Sequence, residues 1–163
     1  MKTLILMRHA KSSWKDPDLS DHDRPLKKRG RKDAKRIARE LLKHDLIPEL
    51  ILSSTAARAK ETVEAVLESL EDDIPVEYSE ALYMAEPQDF LDILATLPSD
   101  LNVIMLVGHN PGMEAYLQII NGNIESMPTA SLAKLKLKLD DWQGISIDTP
   151  GKLAGFWTPK SLE

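Results

Sequence analysis

Four short apolar runs, each leading through polar or turn residues into a segment of helical periodicity, fill the first 122 residues of this 163-residue chain. The runs are Thr3–Met7, Leu50–Leu52, Val76–Tyr78 and Asn102–Val107. Continuous apolar runs of strand length suit strands buried on both faces, which is the pattern of a parallel sheet covered by helices. The helical segments follow from apolar spacing: Ala34, Ile37, Ala38, Leu41 and Leu42; Ala59, Val63, Val66, Leu67 and Leu70; Phe90, Leu91, Ile93, Leu94 and Leu97 after Pro87. Asn110 suits the cap of a fourth helix, Pro111 its first position and Gly122 its end. Leu135, Leu137 and Leu139 alternate with Lys134, Lys136 and Lys138, which predicts a half-buried strand at the periphery, with a partner over Lys152–Trp157 and a loop over Gly144–Gly151. The expected fold is a three-layer α/β/α sandwich: a mainly parallel mixed sheet with a peripheral antiparallel strand near the C-terminus, in one domain over residues 1–163.

Composition narrows the function classes. The chain has no cysteine, so disulfides and thiolate metal sites are excluded and a reducing, cytoplasmic setting is expected. Leu4–Met7 ends at Arg8-His9 before a signal-peptide core can form, and no stretch approaches the ~20 apolar residues of a membrane span. The net charge of −5 is split unevenly: residues 1–60 hold sixteen Lys and Arg against eight Asp and Glu, and residues 61–163 hold five against eighteen. Solvated helix faces account for such a split, and so does a basic surface facing an anionic substrate or acidic partner protein. Nucleic acid is not expected, because no basic stripe interleaved with aromatics is present.

In an open α/β sheet ligands sit beyond the carboxyl ends of the strands. Three such ends carry unusual groups: Arg8 and His9 after the first run, Ser53, Ser54 and then Arg58 after the second, and His109 after the fourth. If these strands are parallel neighbours, two arginines and two histidines share one pocket, with no carboxylate at those same positions. Arginine matches phosphoryl oxygens bidentately and keeps its charge. A neutral imidazole, with an ordinary pKa near ~6.5, is a competent nucleophile at phosphorus. Amides at the helix start after Asn110 add partial positive charge. His22, within Asp21-His22-Asp23, and His44 lack such company and are expected in structural or surface roles. Asp21-His22-Asp23 with His9 and His109 is a conceivable metal set, but no zinc spacing is present and two arginines would repel a cation. Neither a Walker-type loop nor a nucleophile elbow occurs.

Leu6-Met7-Arg8-His9-Ala10, Ser53-Ser54-Thr55-Ala56-Ala57-Arg58-Ala59-Lys60-Glu61-Thr62 and Val107-Gly108-His109-Asn110-Pro111-Gly112 together resemble the histidine phosphatase superfamily. Arg-His-Ala at 8–10, Asp21-His22-Asp23-Arg24-Pro25-Leu26 with Gly30, Met127-Pro128-Thr129 and Trp157-Thr158-Pro159 look like its SixA-type phosphohistidine phosphatase branch. The resemblance runs over nearly the whole chain. It implies His9 as the phosphorylated nucleophile, Arg8 and Arg58 as phosphate clamp and His109 as the second pocket histidine. Ser12, Asn110, Glu80 and Glu86 are further candidates for substrate or phosphate binding. No metal or organic cofactor is implied. The implied substrate is a phosphorylated histidine-containing protein, such as a phosphotransfer domain in signal transduction.

Two departures from the superfamily pattern stand out. Lys27 follows Pro25-Leu26 where many members have Thr, and Glu80 and Glu86 flank Leu82-Tyr83-Met84 where many members carry a general-acid Glu. Imidazole leaving from phosphohistidine needs less acid help than an alkoxide, so the second departure favours a phosphorus–nitrogen bond as target. A phosphomonoesterase for a small metabolite and a phospho-partner binding module with little turnover are the alternative readings.

Overall fold

The computed structural model describes residues 1–123 and 126–162. The expected strands form at β1 (Lys2–Arg8), β2 (Leu50–Ser54), β3 (Val76–Ser79), β4 (Val103–Gly108), β5 (Leu132–Leu137) and β6 (Gly151–Trp157). They make one six-stranded sheet in the order β3-β2-β4-β1-β5-β6. The first four run parallel, while β5 is antiparallel to β1 and β6 antiparallel to β5. The helices are α1 (Lys28–Lys43), α2 (Ala57–Leu70), α3 (Pro87–Leu94) and α4 (Gly112–Asn121).

The layering follows from side-chain alternation on the buried strands. Ile5, Met7, Ile51, Met105 and Val107 face Ala34, Ile37, Ala38 and Leu41 of α1 and Val63 and Val66 of α2 in one core. Leu4, Leu6, Leu52, Ile104 and Leu106 face Phe90, Leu91 and Leu94 of α3 and Met113, Tyr116 and Leu117 of α4 in the other. This is the three-layer α/β/α arrangement, with two cores on opposite faces of one sheet. Leu42, expected in the apolar stripe of α1, is exposed instead. Among the described residues no helix is long and apolar enough to cross a membrane.

The charge split has a partial structural cause. Arg31 of α1 lies 3.8 Å from Glu61, 3.7 Å from Glu64 and 3.8 Å from Glu68 of α2, and Lys35 lies 2.9 Å from Glu68. The basic face of one helix thus meets the acidic face of the next. Such solvent-facing pairs contribute little to stability.

Two glycines let loops close on the sheet end. A Cβ on Gly30 would lie 2.3 Å from the Lys11 carbonyl oxygen, and one on Gly112 would lie 1.9 Å from that of Ala85. Only a residue without a side chain lets α1 press on the loop after β1, and α4 on the loop before α3.

Candidate active site

Strand order decides what meets at the carboxyl edge. β2, β4 and β1 are consecutive in the sheet, with Ser53 opposite Val107 and Arg8 opposite Gly108. Their ends therefore deliver Arg8-His9, Ser53-Ser54 and His109 side by side, and the first turn of α2 adds Arg58. A pocket of about 350 Å³ opens there, and Arg8, His9, Ser12, Arg58, His109 and Asn110 all line it. The general geometry expected from sequence is present.

His9 is 7% exposed. Its Nδ1 lies 2.7 Å from the Ala10 carbonyl oxygen. A carbonyl can only accept, so Nδ1 carries the proton and the lone pair is left on Nε2. That lone pair receives the Nε–H of Arg58 at 3.4 Å. Burial, and the charges of Arg58, Arg8 and Arg24, push the His9 pKa down to about 4, against the Ala10 hydrogen bond, which raises it. His9 is thus a neutral imidazole at neutral pH.

His109 sits 5.1 Å from His9, ring centre to ring centre. Its Nε2 is 2.8 Å from Ser54 Oγ, which also accepts the Ala56 N–H at 3.2 Å. Ser54 Oγ can keep the Ala56 N–H and donate its own proton to Nε2, and in that arrangement the ring proton of His109 sits on Nδ1. Among the described residues Nδ1 has no protein partner, and neither does the buried Nε of Arg8, whose Nη1 donates to the Met127 carbonyl at 3.0 Å. Burial, then His9 and Arg58, lower the His109 pKa to about 3. Buried donors are almost always satisfied, so two unpartnered ones bordering a cationic pocket are what an oxyanion would need.

One carboxylate enters that sequence inspection of the strand ends did not identify. Asp21, in a single 3-10 turn at Asp21–Asp23, accepts from Arg58 Nη2 at 3.0 Å through Oδ2, and its carbonyl accepts from Arg58 Nη1 at 2.7 Å. Its Oδ1 accepts from Arg24 Nε at 3.2 Å and Nη2 at 3.1 Å, and the Tyr83 hydroxyl donates to Oδ2. The Tyr83 bond, with Arg58 and Arg24, holds the Asp21 pKa down to about 2 despite some desolvation. Arg24 reaches on to Ser12 Oγ at 2.8 Å.

The remaining candidates are distributed differently. Asn110 does not cap α4, whose cap position is Pro111; its amide instead donates to Glu114 Oε1 at 2.8 Å and to the Met127 carbonyl at 3.0 Å, tying the loop before β5 to the pocket. The Asn110–Pro111 peptide is cis. Glu80 opens a 3-10 turn and Glu86 caps α3, and neither is among the residues lining the pocket. Lys27 does line it. His22 stands behind, with Nε2 at 2.8 Å from Thr55 Oγ1 and its ring edge-on to Tyr83. Among the described residues no His, Cys, Asp and Glu cluster forms a metal-binding group.

Known proteins share this arrangement in sequence and fold. The model of the histidine phosphatase superfamily, branch 1, matches residues 4–83. An uncharacterized chloroplastic protein of Arabidopsis thaliana is 36% identical, over 98% of this chain and 79% of its own length. A solved structure from Agrobacterium tumefaciens, provisionally named phosphohistidine phosphatase SixA, is 32% identical, covers 97% of this chain and 98% of that one, and superposes with a TM-score of 0.83. The protein histidine phosphatase SixA complexed with tungstate shares the fold at a TM-score of 0.83 and 21% identity, over 99% of each chain. Sequence likeness over nearly its full length thus agrees with the grouping of two arginines and two histidines at one sheet edge, and the chain belongs to branch 1 of the histidine phosphatase superfamily.

Proposed function

We propose that this chain is a phosphohistidine phosphatase acting on a phosphorylated partner protein, with His9 as the nucleophile. Nε2 of His9 attacks phosphorus in line, and the P–N bond of the substrate breaks with its electron pair going to the departing imidazole. Protonated on its other nitrogen, that imidazole leaves neutral. Water then attacks phospho-His9, the P–Nε2 bond breaks, and phosphate leaves as His9 returns to the neutral imidazole that Ala10 orients. Arg8, Arg58 and the Nδ1–H of His109 surround the phosphoryl oxygens as charge builds on them. Ser12 and Asn110 border the same space.

The observation that carries the choice of substrate is the state of the pocket's carboxylate. Among the described residues Asp21 is the one carboxylate lining the pocket, and its pKa of about 2 keeps it ionised and unable to donate a proton at neutral pH. An alkoxide leaving group requires a proton donor, whereas imidazole, with a pKa near ~6.5, does not. The name of the Agrobacterium tumefaciens structure points the same way.

The test is a substrate panel of a phosphohistidine peptide, sugar phosphates and phosphoserine at neutral pH. Clear preference for phosphohistidine is expected, and preference for the sugar phosphates would replace this reading with that of a metabolite phosphomonoesterase.

A further inference from the structure

The interior of the pocket is polar and cationic, and its rim adds two exposed apolar side chains. Trp14 is 73% exposed and Met84 is 50% exposed, and both border the opening. Single exposed apolar side chains are ordinary, but two at the mouth of one charged cleft meet any molecule whose phosphoryl group enters it.

Neither residue is there by looseness of the chain. The Arg24 guanidinium lies 3.4 Å from the centre of the Trp14 ring, and Arg24 is itself buried and tied to Asp21 and Ser12. One ring face is therefore anchored while the rest of the ring is open to solvent. Met84 has a φ of 51°, a left-handed conformation that side-chain-bearing residues seldom adopt and that tends to persist at functional sites. Two apolar groups are thus presented from different loops, one held against Arg24 and one on a left-handed backbone. Exposed Lys11 and Lys27 stand at the same opening.

Size sets what these groups can serve. A space of about 350 Å³ takes a phosphoryl group and its imidazole but not the protein that bears them. A protein substrate must make its remaining contacts on the rim. A Trp ring already held on one face binds with little further loss of freedom, Trp is among the residues that dominate interface energetics, and a methionine adapts to the apolar surface it meets. The lysines favour an acidic counterpart.

We infer that Trp14, Met84, Lys11 and Lys27 form the docking surface for a folded phosphohistidine protein whose histidine is ringed by apolar and acidic side chains. This rests on the phosphohistidine reading of the pocket. The surface makes the enzyme select its substrate by the protein around the phosphohistidine, and not by the phosphohistidine alone.

The experiment measures kcat/KM on two substrates, free phosphohistidine and a phosphotransfer domain with acidic and apolar residues around its phosphohistidine. The proteins are the wild type, Trp14→Ala, Met84→Asn, which tolerates a positive φ, and the double variant Lys11→Glu/Lys27→Glu. The quotient of domain over free phosphohistidine is read, so that any disturbance of Arg24 common to both substrates cancels. The quotient is expected to fall at least about tenfold in each variant, through KM for the domain. A quotient unchanged while the wild type hydrolyses both substrates overturns the docking surface and leaves the phosphohistidine reading standing. A wild type that hydrolyses sugar phosphates and neither phosphohistidine substrate overturns both.

Discussion

Arg58 points its Nε–H at the Nε2 lone pair of His9 across 3.4 Å, while the other edge of the same guanidinium is fixed by the Asp21 carboxylate and carbonyl. One planar group thus faces the nucleophile and is held from behind. A guanidinium serves here where an ammonium would not, because its fork lets two edges be used at once.

Asp21 is consequently a positioning residue. Asp21→Asn keeps the shape but removes the charge that aims Arg58 and Arg24, and kcat/KM is expected to fall by about 100-fold, the scale of a small misplacement of a reacting group. Tyr83→Phe removes only one of the hydrogen bonds to Asp21 and is expected to cost far less. Steady-state kinetics on a phosphohistidine peptide compare the two, and equal losses would contradict this order.

The pH profile carries a distinct signature. The His9 imidazole must be neutral to attack, and its pKa is lowered to about 4. Activity attributable to the enzyme should therefore stay level as pH falls through 6.5, where an ordinary histidine protonates, and decline only near pH 4. Stability follows the same sign. Between the ordinary value and the lowered values of His9 and His109, the unfolded chain binds protons that the folded one does not, so stability present above pH 6.5 is lost progressively toward pH 4 and below. Kinetics and urea midpoints across pH 4 to 8 check both; a kinetic midpoint near 6.5 would contradict the buried neutral nucleophile.

Glu80→Gln and Glu86→Gln should both retain activity toward phosphohistidine, since neither side chain borders the pocket. Loss of a general acid costs about 100-fold or more. A loss of that size in either variant would restore the acid.

Gly112→Ala would drive a Cβ to 1.9 Å from the Ala85 carbonyl oxygen, a backbone atom with no freedom to yield. A destabilisation of about 2 kcal/mol or more is expected, with a lower urea midpoint. Wild-type stability in this variant would show that the loop before α3 does not pack on α4 as described.

What sequence could show depended on how locally it was encoded. The sheet was legible because β1, β2 and β4 are buried on both faces and so read as unbroken apolar runs. His9, Arg8, Arg58 and His109 were legible because each lies at or just beyond the end of one of those runs. Asp21 was not: it arrives from a loop between Ala10 and Lys28 whose path depends on the hydrogen bonds of Arg24 and on Arg58, and no periodicity records that path. Tyr83 reaches Asp21 across 62 positions of sequence, and nothing near it signals the contact. Asn110 misled because Asn-Pro-Gly before an apolar stretch reads as a cap, whereas the side chain serves the Met127 loop, more than a dozen residues on.

The central claim is a covalent bond between phosphorus and Nε2 of His9. Rapid quench of the enzyme with a ³²P-phosphohistidine peptide should give labelled protein whose label is lost in acid and kept in alkali, as expected for a phosphorus–nitrogen bond, and which maps to His9. His9→Ala should give none. Turnover with no label on His9 at any quench time, or an undiminished rate in His9→Ala, would contradict the mechanism.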